Sequence, residues 1–320
     1  MAYSTVNPTA WKTDNYKFVG KAFDFAYANR LNKLLAVMSE VNSNSIDYEL
    51  TGSGGFGEMP VYNGNDLNEA TKHRGFKTII TPQEYSLTEA VGYKQAKIDK
   101  SGECRRVGEY LGDAAAMTVY VHALRCFANA FSPDHVGGDG VPWASDAHPV
   151  ASKGSNGRSF VVDEEAGTYS NLITTTLSVD AITKAQSQAS RFVTPDGLPV
   201  LQDMNLLLVS PELEATAKKI CGENAKFRPL RNPDDDTNAA NPVGELQYMV
   251  IGGGKDGFTA KQWAICDPVL MKRVFKLVYI TRPKVLQSDM DNPLKDLYTG
   301  YADFGIGWGD ARPIIFSNPA

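Results

Sequence analysis

From Glu103 to Phe131 apolar residues return at three- and four-residue steps, at Val107, Tyr110, Leu111, Ala114, Met117, Val121, Leu124, Ala128 and Phe131, and Ser132-Pro133 closes the run. At 1.5 Å per residue this predicts a helical rod of roughly 43 Å. The 320 residues have material for two packing units of ordinary size, or for one irregular body with a large extension. Gly108 and Gly112 lie inside the run. Each costs about 1 kcal/mol against Ala in a helix interior, which predicts either a start after Gly112 or a bend at these positions.

Upstream, Phe18 to Met38 carries a second amphipathic pattern (Phe18, Ala22, Phe25, Ala26, Leu31, Leu34, Leu35, Met38) and predicts a helix in an otherwise extended arm. Residues 46–99 have another texture. Gly52, Gly54, Gly55 and Gly57 are followed by Asn63-Gly64, and then by strand-like text from Phe76 to Thr81 and from Tyr85 to Ile98. Asn-Gly between extended segments signals a hairpin, and the glycines upstream supply a hinge at its base. A two-stranded ribbon is marginal in water, so this excursion needs a partner surface. From Lys72 to Arg106 there are eight basic residues against four acidic ones, a local excess that suits an acidic neighbour.

Residues 133–176 are loop-rich. Beyond them Ser178 is expected to cap a helix through Phe192, Asn205 to Val209 to form a buried strand, and Ser210-Pro211-Glu212 to open a helix closed by Gly222. Strands are expected at Gln247–Ile251, Trp263–Cys266 and Arg273–Thr281. The ending Ile314-Ile315-Phe316 is expected to be tied into the first domain. The resulting division is an arm (1–45), an extended loop (46–99), a helix with the first part of one domain (100–176), a second domain (177–272) and the rest of the first (273–320).

Composition excludes several classes. With 42% apolar, 10% aromatic and 22% charged residues the chain is neither collagenous, nor a coiled-coil rod, nor largely disordered. A net charge of −5 is small and of the wrong sign for a protein that coats nucleic acid. No apolar stretch is long enough to span a bilayer, and the N-terminus does not read as a signal peptide. Cys104, Cys126, Cys221 and Cys266 form no CxxC pair and read as reduced, mostly buried thiols.

Candidate chemistry is sparse. Lys255 follows Gly252-Gly253-Gly254, but Asp256 stands where a phosphate loop needs Ser or Thr, so a strand-to-strand turn is expected. Asp134, His135, Asp146 and His148 are close in sequence without the spacing of a helical metal pair, and loop hydrogen bonding is expected of them. His122 lacks a nucleophile-elbow partner, His73 belongs to a basic tip, and Asp234 to Asp236 lack the EF-hand spacing. Nothing gathers nucleophile, base and stabiliser. No catalytic, cofactor-binding or metal-binding residue is assigned, and a structural role is expected.

The order of parts resembles the major capsid proteins of tailed bacteriophages, the Hong Kong 97-type fold. The resemblance rests on Phe76-Lys77-Thr78-Ile79-Ile80 through Ile98, the helix ending at Phe131 before Gly137-Gly138-Asp139-Gly140, and Leu206-Leu207-Leu208-Val209-Ser210-Pro211 through Ile220. Asp291-Asn292-Pro293 through Arg312-Pro313-Ile314-Ile315 looks like the family's ending, and Asp146-Ala147-His148-Pro149 is similar to a phrase of Mu-like head subunits. It implies an α+β fold with an N-terminal arm, an extended β-hairpin loop, a long spine helix, a peripheral domain and an axial domain.

It further implies a shell built through pentamers and hexamers around double-stranded DNA held by weak, non-specific contact. A portal protein and a decoration protein are the other partners, no membrane is involved, and the location is the virion capsid after assembly in the bacterial host cytoplasm. Many relatives carry a scaffolding segment ahead of the arm; here the arm begins at Met1, so a separate scaffolding protein is expected. Intersubunit contacts are expected at Lys72, Arg74 and Lys77 against Asp289, Asp291 and Asp296, with the hinge at Gly52, Gly54, Gly55 and Gly57. Crosslinking through Lys72 and Asn292 is not expected. The rival readings are an encapsulin-like cellular nanocompartment and a soluble metal-dependent hydrolase using the His135–His148 loop.

Overall fold

The computed structural model describes residues 8–31, 34–53, 59, 61–62, 64, 74–92, 102–150, 167–194, 198–221, 243, 245–253, 256–288 and 295–319. In chain order the elements are α1 (Pro8–Leu31), β1 (Ser39–Asn42), β2 (Tyr48–Ser53), β3 (Arg74–Ile80), β4 (Gln83–Gly92), α2 (Glu103–Ala128), β5 (His148–Pro149), β6 (Thr168–Tyr169) and β7 (Leu172–Ile173). Then come α3 (Val179–Ala189), β8 (Leu206–Val209), α4 (Glu214–Ile220), β9 (Gln247–Val250), β10 (Gly252–Gly253), β11 (Asp256–Gly257), β12 (Trp263–Cys266), α5 (Pro268–Val274), β13 (Phe275–Ser288), β14 (Lys295–Trp308) and β15 (Ile314–Ser317).

The two glycines of the long helix neither delay nor bend it. α2 runs from Glu103, and a Cβ on Gly108 or Gly112 would stand 2.5 Å from the carbonyl oxygen of Val19 or Phe23. The glycines form a flat strip on which α1 lies, with Ala22 and Ala26 facing them. Their propensity cost of about 1 kcal/mol each is offset by the burial of Val19 and Phe23, each worth about 1.5–3 kcal/mol. The same contact corrects the arm. The helix is Pro8–Leu31, and Val19, Phe23 and Ala26 are buried while Phe18 and Phe25 stand 51% and 67% exposed. Glycine at 108 and 112 decides which face of α1 can approach closely, and that outweighs the stripe of larger side chains.

Two sheets flank α2. The four-stranded sheet has the order β1-β13-β14-β4, with β1 parallel to β13 and the other pairs antiparallel. α1 packs over β13 and α2 over β14. The five-stranded sheet has the order β7-β15-β12-β8-β9. Its inner strands β12 and β8 are apolar at every position, and β15 at all but Ser317, because both faces are covered. Leu206, Leu208, Ala264, Cys266, Ile314 and Phe316 face the core shared with α2. Leu207, Val209, Trp263, Ile265 and Ile315 face a second core closed by α3 and α4. β15 is therefore tied to the α2 core by one face only; its backbone pairs β12 and β7, inside the five-stranded sheet.

Helix ends follow the local chemistry. The Ser178 hydroxyl accepts from the Ala181 N–H at 3.1 Å, and α3 ends at Ala189. Pro211–Leu213 forms a 3-10 turn ahead of α4. Asp267-Pro268 starts α5, with the Asp267 carboxylate accepting from Val269 and Leu270, so the text from Arg273 is strand only from Phe275 onward.

Candidate assembly interface

β2 and β3 form the antiparallel ribbon expected at the base of the excursion, with Tyr48 opposite Ile80 and a register shift between Thr51 and Ser53. Gly52 sits at that irregularity. The ribbon is held to the body on one side. The Gly138 N–H donates to the Thr78 hydroxyl at 3.0 Å, and a Cβ at Gly138 would meet the Lys77 carbonyl oxygen at 2.3 Å. The 137–140 loop thus clamps β3 opposite Leu50 and Thr51, and Gly52 is the first residue past the clamp.

Of the charged residues expected at intersubunit contacts, Arg74, Lys77 and Asp296 are among the described residues. Lys77 forms an ion pair with Glu49 across the ribbon. Arg74 lies opposite Ser53 at its outer end. Asp296 is not on a surface: it is 3% exposed, opposite Val91 on β14. Period-two alternation puts it on the same side as Tyr298, which packs in the core under α1 and α2. Asp296 is therefore not an acid presented to a neighbour. Lys72, Asp289 and Asp291, the crosslink candidate Asn292, and the glycines Gly54, Gly55 and Gly57 lie outside the described residues. So do His73, Lys255 and Asp234 to Asp236.

The loop that suggested a metal is hydrogen bonded within itself. His148 is fully buried, with Nδ1 2.7 Å from Asp139 and Nε2 3.2 Å from the Trp143 carbonyl and the Asn171 side-chain oxygen. Asn171 donates to the Trp143 carbonyl at 2.8 Å and accepts from the Ser145 N–H at 2.9 Å, which fixes its orientation. Among the described residues no three His, Cys, Asp or Glu side chains converge on a metal position. His122 lies against Tyr85 and Phe304, and burial, with Arg125 beside it, pushes its pKa below the ordinary value.

The leading segment is keyed to its own body from the middle of α1 and near its C-terminal end. Tyr16 donates to the Val285 carbonyl at 2.7 Å, and the Tyr27 and Tyr279 hydroxyls are 2.5 Å apart. Burial raises Tyr27 to about 12. Arg282 stacks 5.1 Å from the Tyr279 ring centre and pairs with Glu40 at 2.8 Å, which fastens β1 as well. Sequence reading missed this docking; the Gly-x-x-x-Gly of 108–112 and the Ala-x-x-x-Ala of 22–26 were its signals.

Several large apolar side chains stand exposed among the described residues. Met59 and Val61 are each 93% exposed, and Ile46, Leu201 and Val269 also face solvent. A cavity of about 250 Å³ opens between β4, β14 and α2. Among the described residues no helix is long and apolar enough to cross a membrane.

The architecture is a long helix between two sheets, with a two-stranded ribbon clamped at its base. The capsid of Ralstonia phage GP4 is similar at a TM-score of 0.55 and 12% identity, covering 91% of this chain and 89% of that one. The procapsid of bacteriophage JBD30 matches at 0.52 and 12%, covering 98% of this chain and 77% of that one. A virus-like particle from Pyrococcus furiosus matches at 0.50 and 10%, covering 95% and 99%. The chain has the Hong Kong 97-type capsid fold. No protein-family model and no curated protein sequence matches it.

Proposed function

We propose that this chain is a major capsid protein that assembles through pentamers and hexamers into an icosahedral shell around the double-stranded DNA of a tailed phage. The observation that carries the proposal is the capsid fold over 91% of the chain. Head-to-tail contacts that close into rings would run through the 177–272 region, and the 46–99 excursion would lie over the adjacent subunit. Its hinge would be Gly52, just past the clamp at Thr78, with Gly54, Gly55 and Gly57. Arg74, Lys72, Asp289 and Asp291 stay candidates for charged intersubunit contacts. A net charge of −5 suits a container from which DNA must leave.

A portal, a separate scaffolding protein and a decoration protein complete the partners, with assembly in the host cytoplasm and residence in the virion. The role is structural rather than enzymatic. Sedimentation and electron microscopy of the purified chain test the reading: megadalton shells or free rings are expected, and a strictly monomeric species at high concentration would overturn it. A nanocompartment is the second reading, favoured by the similarity to the Pyrococcus furiosus particle over 99% of that chain. Particles purified from the native source separate the two, since a capsid holds nucleic acid and a nanocompartment holds protein.

A further inference from the structure

Glu84 of β4, Asp303 of β14 and Thr281 of β13 form one row across three neighbouring strands, with Asp303 directly opposite Glu84 on one side and Thr281 on the other. Residues paired in this way share a face of the sheet, on strands about 4.8 Å apart. Asp303 is 8% exposed, and its Oδ1 is buried without a hydrogen-bond partner. The Tyr301 hydroxyl donates to Glu84 Oε1 at 3.1 Å, which steadies that carboxylate and leaves Oε2 for another partner. Burial, then Glu84, holds the Asp303 pKa above its ordinary value. Lys284 stands one row away, opposite Tyr301, and among the described residues no Lys or Arg pairs with either carboxylate. Like charges directly opposite one another destabilise a strand pair. Water can satisfy the orphaned oxygen but cannot offset the charge.

We propose that Asp303 and Glu84, with Thr281 beside them, hold a hard divalent cation, magnesium or calcium. The donors are all oxygen, which suits these ions, whereas zinc and copper favour nitrogen and sulfur. Magnesium typically takes one or two carboxylates and keeps several waters, and calcium completes a larger oxygen shell in the same way. Glu84 is exposed, so the row opens to solvent on the β4 side. On the same face a Cβ at Gly305 would stand 2.9 Å from Ile80 and 3.1 Å from Pro82, which places the row beside the turn where β3 of the ribbon passes into β4. A cation there ties the first residues of β4 to β14 and fastens the foot of the ribbon to the sheet. The site belongs to the single subunit and does not depend on the shell reading.

The test is a thermal melt of the purified full chain. Wild type should melt about 2–4 °C higher in about 5 mM CaCl2 or MgCl2 than in EDTA, and the two salts taken separately show which ion the site prefers. Asp303→Asn and Glu84→Gln should each lose the shift. In EDTA Asp303→Asn should fold at least as well as wild type, because it removes one of two facing charges, so a lost shift is not a lost fold. Terbium, which takes calcium-type oxygen sites, is a second measure. Its luminescence on excitation of the protein's aromatic rings, with Tyr301 at the site, should be displaced by excess calcium and lost in Asp303→Asn. No shift in wild type with either cation overturns the site. A shift of equal size in Asp303→Asn places the cation elsewhere and overturns it as well.

Discussion

A Cβ at Gly112 would stand 2.5 Å from the Phe23 carbonyl and 3.0 Å from the Ala26 methyl. Backbone on both sides leaves nothing flexible to yield. Gly112→Ala gains about 1 kcal/mol of helix propensity but forces α1 outward, an overpacking cost of about 1–3 kcal/mol. A net loss of stability is expected in urea denaturation; an increase would show that α1 is not held where described. Asp303 gives a prediction of opposite sign. It is 8% exposed, its Oδ1 has no hydrogen-bond partner, and Glu84 lies directly across on β4. Burial, then Glu84, raises its pKa. The folded state therefore holds this proton more tightly than the unfolded one, and stability is lost as pH rises from about 3.9 through the raised value. Asp303→Asn should melt higher than wild type at pH 7, with the difference shrinking toward pH 4. An Asn variant less stable at neutral pH would mean that the carboxylate is paired.

At the scale of elements, the base of the ribbon is fastened by the 137–140 loop. Gly138 grips β3 at Lys77 and Thr78, so the proposed hinge would lie beyond Thr51, where Gly52 begins the glycine run. Val substitutions at Gly54 and Gly55 remove the positive-φ freedom such a pivot uses. Malformed or unclosed particles are expected by electron microscopy, whereas normal shells of normal size would exclude a hinge there. The sequence showed these elements where one side chain period dominated: α2 from its heptad-like apolar run, β12 and β8 from continuous apolar text, α3 from its Ser cap. It misled where a partner element decided. The Phe18 and Phe25 stripe looked like the buried face of α1 until Gly108 and Gly112 were seen to select Val19 and Phe23. Asp296 looked like a surface acid because strand alternation is invisible without the start of β14. The cavity between β4, β14 and α2 was illegible, because its lining comes from three separate segments.

At the scale of the whole molecule, the division of labour between one chain and many is sharper than the sequence suggested. The leading helix is not waiting for neighbours: Tyr16, Val19, Phe23 and Tyr27 place it against its own sheet and spine. Among the described residues, Met59, Val61, Leu87 and the outer edge of β4 are left bare. Interfaces between permanently associated subunits typically bury about 2,000–5,000 Å², and many repeated contacts make a shell that hardly dissociates even when each is modest. The two groups of residues should then respond differently to assembly. In hydrogen exchange, amides of α1 from Val19 to Tyr27 should be protected in dissociated subunits nearly as well as those of α2, and assembly should change them little, because their opening is governed by intrachain packing. Amides of β4 turned away from β14 should exchange quickly in the free subunit and slow at least tenfold in particles. Rapid exchange throughout α1 in the free subunit would mean that the leading segment, too, is ordered only by its neighbours.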